Sequence, residues 1–293
     1  MHSCRAVCLS LALAAAFVVD LPAQPAATAP WAEVGRRLQT TETPSPGYHR
    51  YNLPRRDITL MLGDVNVGAA LALGSWAGFA GNATRAMAMG DLVLLPSELQ
   101  PVLAELSRQR IGVSAIHNHL VGEQPHLIYV HFDATGDAID VATRLGKAIA
   151  LTATPLPVTN PPPSAPTIDT ALVFRALGLG GRANGAVAQI TAVLVSPSVK
   201  LHGHSLPPML AVASPINIQE LAVGRAVATG DFAVLERHVT PLLDALAAHG
   251  ITATAVHTHM IGETPKVYFI HFWADGPLTA VCAGLRAALD AAR

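Results

Sequence analysis

The sequence contains the same stretch twice, and this repeat constrains the fold more than any other feature. The run HNHLVGEQP at residues 117–125 returns as HTHMIGETP at residues 257–265, an offset of 257 − 117 = 140. The offset continues without a gap on both sides. Matching pairs at this offset include His131-Phe132 with His271-Phe272 and Gly90-Asp91 with Gly230-Asp231. A chain of 293 residues with a repeat of this length is expected to form two similar units.

The boundaries of the two units follow from composition. Residues 154–167 contain Pro155, Pro157, Pro161, Pro162, Pro163 and Pro166. Such a stretch favours extended geometry and is predicted to be a linker. We therefore predict a first repeat unit at residues 24–153, the linker at 154–167 and a second repeat unit at 168–293.

The first 23 residues are predicted to be a secretory signal peptide. Arg5 supplies a positive charge, and an apolar stretch follows at residues 6–19. It is shorter than the roughly 20 residues that span a bilayer. An uncleaved N-terminal anchor is the alternative. No other segment is long and apolar enough to span, so we expect no transmembrane segment in the mature chain and a periplasmic or secreted location.

Each copy shows the same order of predicted elements. A strand at residues 85–95 or 225–235 is followed by a helix with an apolar stripe, and a second strand then leads into the His-x-His. A short loop, a third strand and a final helix complete the β-α-β-β-α unit. Additional strands are expected around residues 58–62 and 190–195. The fold class is predicted to be α+β, with antiparallel sheets that carry helices on one face. A bend or bulge is predicted at Gly90-Asp91 and Gly230-Asp231.

Three histidines of each copy are expected to lie on one face of a hairpin. Side chains alternate along a strand, so His117 and His119 share a face. If the two strands pair in an even register, His131 joins them, and Glu123 lies in the connecting loop. The second copy has His257, His259, Glu263 and His271 at the matching positions.

Three imidazoles and one carboxylate form a ligand set suited to Zn²⁺, Cu²⁺, Mn²⁺ or Fe²⁺. We therefore predict a metal site in each copy, with Zn²⁺ as the first candidate. The predicted ligands are His117, His119, Glu123 and His131 in one copy and His257, His259, Glu263 and His271 in the other. With three ligands a position stays open, where the pKa of a bound water could fall to about 7; Glu123 is then the fourth ligand or a general base. The alternative is a network of strand histidines bonded to the backbone, to Glu123 and to each other, without metal.

Composition excludes several other classes of function. The formal net charge is −1, so the basic footprint of a nucleic-acid-binding protein is missing and no nucleic-acid partner is expected. The pattern Gly178-x-Gly180-x-x-Ala183 resembles a dinucleotide fingerprint, but it follows a helical run rather than a strand. No nucleotide cofactor is therefore predicted.

The two runs at residues 90–138 and 230–278 resemble the LppY/LpqO-like family of bacterial exported proteins. Their shared pattern is A-hydrophobic-H-x-H, then G-E-x-P, then H-F, and the family is similar in having two such copies behind a signal. The resemblance covers nearly the whole predicted mature chain. It implies an envelope or secreted location and a two-repeat domain of unknown function, and it implies no particular reaction. The family's namesakes are lipoproteins; this sequence lacks a lipobox cysteine, so lipid anchoring is not implied.

The sequence thus predicts an exported protein that binds a transition metal through a duplicated His-x-His-x3-Glu…His hairpin. The alternative is a non-catalytic cell-envelope binding module for a glycan, a peptide or a partner protein, in which the histidines act as hydrogen-bonding groups. Imidazole nitrogens that converge on one point would favour metal binding, and nitrogens spread along a groove would favour the binding module. The sequence leaves open whether a reaction is catalysed, whether the two copies form one cleft, and the oligomeric state.

Overall fold

The computed structural model describes residues 30–196, 198–222 and 224–293, and the predicted signal peptide lies outside these residues. The elements of the first repeat are α1 (Pro30–Leu38), β1 (Glu42–Ser45), β2 (Tyr48–Pro54), β3 (Leu60–Leu62), β4 (Val65–Val67), α2 (Ala69–Ala72), β5 (Gly74–Asn82), β6 (Arg85–Leu94), α3 (Pro96–Arg108), β7 (Gly112–His117), β8 (Ile128–Gly136) and α4 (Ala138–Ile149).

The second repeat has the same kinds of element in the same order. They are α5 (Thr170–Leu177), β9 (Gly181–Asn184), β10 (Val187–Val193), β11 (Lys200–Leu201), β12 (His204–Ser205), α6 (Pro208–Ala211), β13 (Ala213–Ala222), β14 (Arg225–Leu235), α7 (Glu236–Ala248), β15 (Thr252–His257), β16 (Val267–Pro277) and α8 (Leu278–Ala291). None of the helices in the described ranges is long and apolar enough to cross a membrane.

Each repeat forms one six-stranded antiparallel sheet. The strand order is β1-β2-β5-β6-β8-β7 in the first repeat and β9-β10-β13-β14-β16-β15 in the second, so equivalent strands occupy equivalent places. The predicted α+β fold of two similar repeats is confirmed. The strand expected around residues 58–62 shrinks to β3, which pairs with β4 in a separate small sheet, because these residues belong to a segment that leaves the main sheet.

The longer helices cover one face of each sheet because their apolar side chains recur at helical spacing. Helix α4 begins after Asp137, whose carboxylate accepts the backbone N–H groups of Ile139 and Asp140. Its buried residues pack with α1 and α3 against the first sheet. Helices α5, α7 and α8 do the same for the second sheet. These two layers supply the cores of the repeats.

The opposite faces of the two sheets are joined by two short segments, each of which packs on its own sheet and on the sheet of the other repeat. We call β3, β4 and α2 the first arm, and β11, β12 and α6 the second arm. Leu71 of the first arm shares a core with Val227 of the second sheet, and Leu210 of the second arm shares one with Met87 of the first sheet. The Gln219 carboxamide on β13 also accepts the backbone N–H of Gly68 at 2.9 Å. The repeats are therefore interlocked through exchanged arms.

The Pro-rich stretch between the repeats contains no helix or strand among residues 154–167. Leu156 and Val158 pack against the first core, and the Val158 N–H donates to the Gln39 carbonyl at 2.8 Å. The first half of this connection therefore lies along the first repeat. In its second half, the Thr167 N–H donates to the Gly185 carbonyl of the second repeat at 2.8 Å.

Candidate metal centre

The histidines are placed by the two hairpins at the sheet edges. Strand β7 ends at His117, and β8 pairs with it so that His131 lies opposite Ala115. A bulge between Val113 and Ala115 sets this register. Because Ala115 and His117 are two residues apart, both point to the same side as His131. The second hairpin repeats the arrangement, with His271 opposite Ala255.

The face that carries the histidines is the one away from the helices, and the two hairpins meet there. The centroids of the His117 and His257 rings lie 3.9 Å apart. Around this central pair, the centroid of the His119 ring lies 4.0 Å from that of His271, with the rings tilted. The equivalent pair, His259 and His131, is stacked at 3.9 Å. The six imidazoles therefore form one cluster about a pseudo-twofold axis. The histidines of the two copies meet in one place and do not form two separate sites.

Two matching hydrogen bonds join the hairpins beside this cluster. The Ser114 hydroxyl donates to the carbonyl oxygen of His259 at 2.6 Å. The Thr254 hydroxyl donates to the carbonyl oxygen of His119 at the same distance. Each repeat thus holds the backbone of the other repeat's His-x-His segment.

Two aspartates that the sequence analysis did not assign to the site lie beneath the histidines. Asp231 faces His271 across the ladder between β14 and β16, and Asp91 faces His131 in the same way. The Oδ2 of Asp231 is 3.0 Å from His259 Nε2. The sequence does carry a signal for these aspartates, because Asp91 and Asp231 occupy equivalent positions at the 140-residue offset. The spacing alone does not show that their strands lie next to the histidine strands.

The prediction of a bend or bulge at the two Gly-Asp pairs is wrong. Gly230 and Asp231 lie in an unbroken ladder with β16, and Gly90 and Asp91 lie in one with β8. The glycines are needed for a close approach instead. A Cβ on Gly230 would lie 2.0 Å from the Pro215 carbonyl oxygen on the neighbouring strand.

The ring nitrogens of the second repeat are oriented toward the centre of the cluster. His271 Nδ1 lies 2.9 Å from the Gly230 carbonyl, to which it donates, and this leaves its Nε2 with a free lone pair. Within the described residues, several solvent-shielded atoms at the centre have no hydrogen-bond partner. They include His271 Nε2, His259 Nε2, both ring nitrogens of His257, and Asp231 Oδ1.

Donor atoms from these residues lie close enough to share an ion. Ligand atoms of Asp231, His257, His259 and His271 all lie within 4.8 Å of one another. A second group, formed by His117, His131 and His257, meets the same limit. The groups share His257, and the second draws its ligands from both repeats.

The two glutamates named as ligands lie outside both groups. The Glu123 carboxylate accepts the backbone N–H of Leu127 at 3.1 Å, and Glu263 accepts that of Val267 at 3.3 Å. Both side chains are buried, so they stabilise the loop between the hairpin strands. His119 belongs to the cluster but to neither group.

Burial keeps five of the six imidazoles in their neutral form. It lowers the pKa of His117 to about 4, with repulsion from His271 adding to the effect. Burial also lowers the pKa of His119, His131, His257 and His259. Because only the neutral ring has a lone pair to give to a metal, these five rings are in the binding form at neutral pH.

Burial changes the pKa of the Asp91 carboxyl group in the opposite direction. Burial raises the pKa of Asp91 well above its ordinary value, and the charge of Asp231 adds to the rise. Two carboxylates close together in a poorly solvated place favour a bound cation.

Comparison with known proteins identifies the repeat. A family model described as Domain of Unknown Function (DUF1259) matches residues 32–151 and again residues 171–291. No curated protein is significantly similar to the chain. EtuB from Clostridium kluyveri is 12% identical over 85% of this chain and 89% of that chain, with a TM-score of 0.20. The trimeric bacterial microcompartment shell protein PduB is 10% identical over the same shares, with a TM-score of 0.22. At these TM-scores neither likeness carries an argument.

Proposed function

The chain belongs to the family with the DUF1259 domain of unknown function, here in two copies, and we propose that it is an exported protein that binds a divalent transition-metal ion in its second repeat, where that repeat meets the first. The ligands of this ion are Asp231, His257, His259 and His271. They come from strands β14, β15 and β16 and from the loop after β15.

The observation that carries the proposal is the convergence of unpartnered donor atoms. A buried polar atom without a hydrogen-bond partner costs about 1–3 kcal/mol, and the described part of the chain gathers five such atoms from these four residues at one place. One of them, His259 Nε2, has Asp231 Oδ2 3.0 Å away as an ion-pair contact. A bound cation would offset part of the cost by accepting one lone pair from each of the four residues. A network of histidines without metal would instead pair these atoms with one another.

The donor set favours zinc among the divalent ions. Three imidazoles and one carboxylate are borderline ligands, and a tetrahedral Zn²⁺ takes four of them at about 2.0–2.1 Å. Such an ion needs its ligand atoms roughly 3.3 Å apart, so small side-chain rotations within a group spanning 4.8 Å would suffice. With all four positions filled by protein, the ion would hold the second hairpin in place. It could bind and activate a water molecule after one of the four protein ligands had left.

The envelope binding module receives less support from this geometry. That function needs histidines spread along an accessible groove, each with its own neighbour. Here His131 and His271 are buried and the nitrogens converge. The resemblance to LppY/LpqO-like exported proteins supports the proposed envelope or secreted location.

The proposal is tested by measuring bound metal in the untagged protein by mass spectrometry. The double variant Asp231→Asn/His259→Gln removes two ligands while it keeps similar side-chain volume. His249→Gln changes an exposed histidine outside the cluster and serves as the control. We expect at least one equivalent of Zn²⁺ in the wild type and the control. In the double variant we expect affinity to fall by more than about 100-fold, beyond the loss typical of outer-shell changes. Wild-type protein that stays metal-free after incubation with Zn²⁺, Cu²⁺ and Mn²⁺ would overturn the proposal.

A further inference from the structure

We propose that a second divalent ion binds beside the first, held by Asp91, His117 and His131 with His119 completing the set, so that the repeat interface carries a two-ion centre. This inference rests on the proposed function because it extends the same cluster. It assigns to the first repeat an ion of its own.

When one ion binds to the ligands of the second repeat, donor atoms of the first repeat remain without a partner. Asp91 Oδ1 and His119 Nδ1 are shielded from solvent and have no hydrogen-bond partner among residues 30–196, 198–222 and 224–293. Atoms of the same two kinds, from Asp231 and His259, are unpartnered in the second repeat. The repeats are related by the pseudo-twofold axis. The buried donor atoms that favour a cation in the second repeat therefore have equivalents in the first repeat.

The central atoms of the second set already lie together. His117 Nε2 is 2.9 Å from His131 Nε2. Without an ion, one of these nitrogens must carry a proton and donate it to the other. The group of ligand atoms within 4.8 Å of one another that contains both residues is completed by His257. The one lone pair of the neutral His257 ring goes to the first ion, so Asp91 and His119 take its place as ligands of the second. An ion at this place would receive the lone pairs of both Nε2 atoms.

Charge gives a separate argument for two ions. Asp91 and Asp231 are both largely shielded from solvent, and they repel each other. An ion bound to Asp231 balances that carboxylate. Asp91 has the charge of Arg50 nearby, but Arg50 lowers its pKa by less than burial and Asp231 raise it. A second dication, on the side of His131, would neutralise Asp91 in the same way.

The two ions would be close neighbours. The His117 and His257 rings are 3.9 Å apart, and His257 belongs to both groups of donor atoms. Two paramagnetic ions so placed interact magnetically, whereas two ions in separate domains do not. This gives the second ion a signature other than stoichiometry.

The first measurement is metal content at saturation for the wild type, Asp91→Asn, Asp231→Asn and the control Asp244→Asn, which changes an exposed helical residue. We expect two equivalents of Zn²⁺ in the wild type and the control, and one equivalent in each of the other variants. One equivalent in the wild type that Asp91→Asn does not reduce would overturn the second ion and leave the proposed function intact. If the wild type binds one equivalent and both Asp91→Asn and Asp231→Asn bind none, the two aspartates share one ion, and this would also overturn the inference. No metal in any sample would overturn both.

The second measurement uses Cu²⁺ and electron paramagnetic resonance on the wild type alone, so it does not depend on a variant that folds. At two equivalents we expect broadened spectra and a half-field transition, both absent at substoichiometric Cu²⁺ if the first ion binds more tightly. Two equivalents of Cu²⁺ without magnetic interaction would place the ions apart and refute a two-ion centre.

Discussion

Acid should destabilise the metal-free protein, and His117 alone should account for about 3 kcal/mol of the loss. The pKa of this imidazole falls from 6.5 to about 4 on folding. Below pH 6.5 the unfolded chain binds a proton at His117 that the folded chain does not bind. Stability therefore decreases as the pH drops from 6.5 to about 4, and this contribution is constant below that range. At about 1.4 kcal/mol per unit, the shift corresponds to about 3 kcal/mol.

The assay is urea unfolding in the presence of EDTA at several pH values between about 7 and 4, followed by circular dichroism. His117→Gln removes the titrating ring, and His249→Gln removes an exposed one. Carboxylate titration is common to all three proteins and cancels in the differences. We expect the wild type and His249→Gln to lose about 3 kcal/mol more than His117→Gln between these pH values. Parallel curves for the three proteins would refute the argument that burial in the cluster keeps His117 neutral.

Three further changes test the structure around the site by urea unfolding. Gly230→Ala should lower the free energy of unfolding by about 1–3 kcal/mol or more, because its Cβ would lie 2.0 Å from a carbonyl oxygen of the next strand. Gly276→Ala is the control and should be tolerated, because no atom lies within 4 Å of the added Cβ. Equal effects of the two substitutions would contradict the close approach at Gly230. Ser114→Ala removes a 2.6 Å hydrogen bond to a carbonyl of the other repeat and should cost about 1 kcal/mol, whereas no change would show that this bond does not hold the hairpins together. Glu98→Gln weakens the ion pair with the fully buried Arg55 and should cost about 3 kcal/mol, so a neutral effect would argue against that pair.

The sequence is sufficient to predict the repeat and its local structure. The 140-residue offset predicts the division into two units, and the pattern of each copy predicts the final helix that the structure shows as α4 and α8. Strand alternation correctly puts His117 and His131 on one face, because the side-chain period of a strand does not depend on the rest of the fold.

The parts that could not be predicted depend on contacts between distant segments. Sequence spacing does not show that the arms reach the sheet of the other repeat, or that the His119 ring contacts that of His271. Asp91 and Asp231 were missed because they lie on strands that precede the hairpins and become neighbours of the histidines only through sheet pairing. Glu123 was named as a ligand from its spacing to His119. Its position is decided instead by the backbone N–H that it accepts, which a spacing argument does not contain. The metal ligands themselves stay a prediction.

The exchanged arms have a consequence for how such a chain could arise. A protein with a single repeat would leave the histidines of its sheet and the part of its arm that packs on the other repeat uncovered, unless a second copy bound to it. Such an ancestor would have been a homodimer with its histidines meeting on a true twofold axis, and fusion of two gene copies would convert that axis into the present approximate one. After fusion each half can change alone. The halves already differ at two equivalent positions beside the shared cluster: the second repeat has Thr258 where the first has Asn118, and Lys266 where the first has His126.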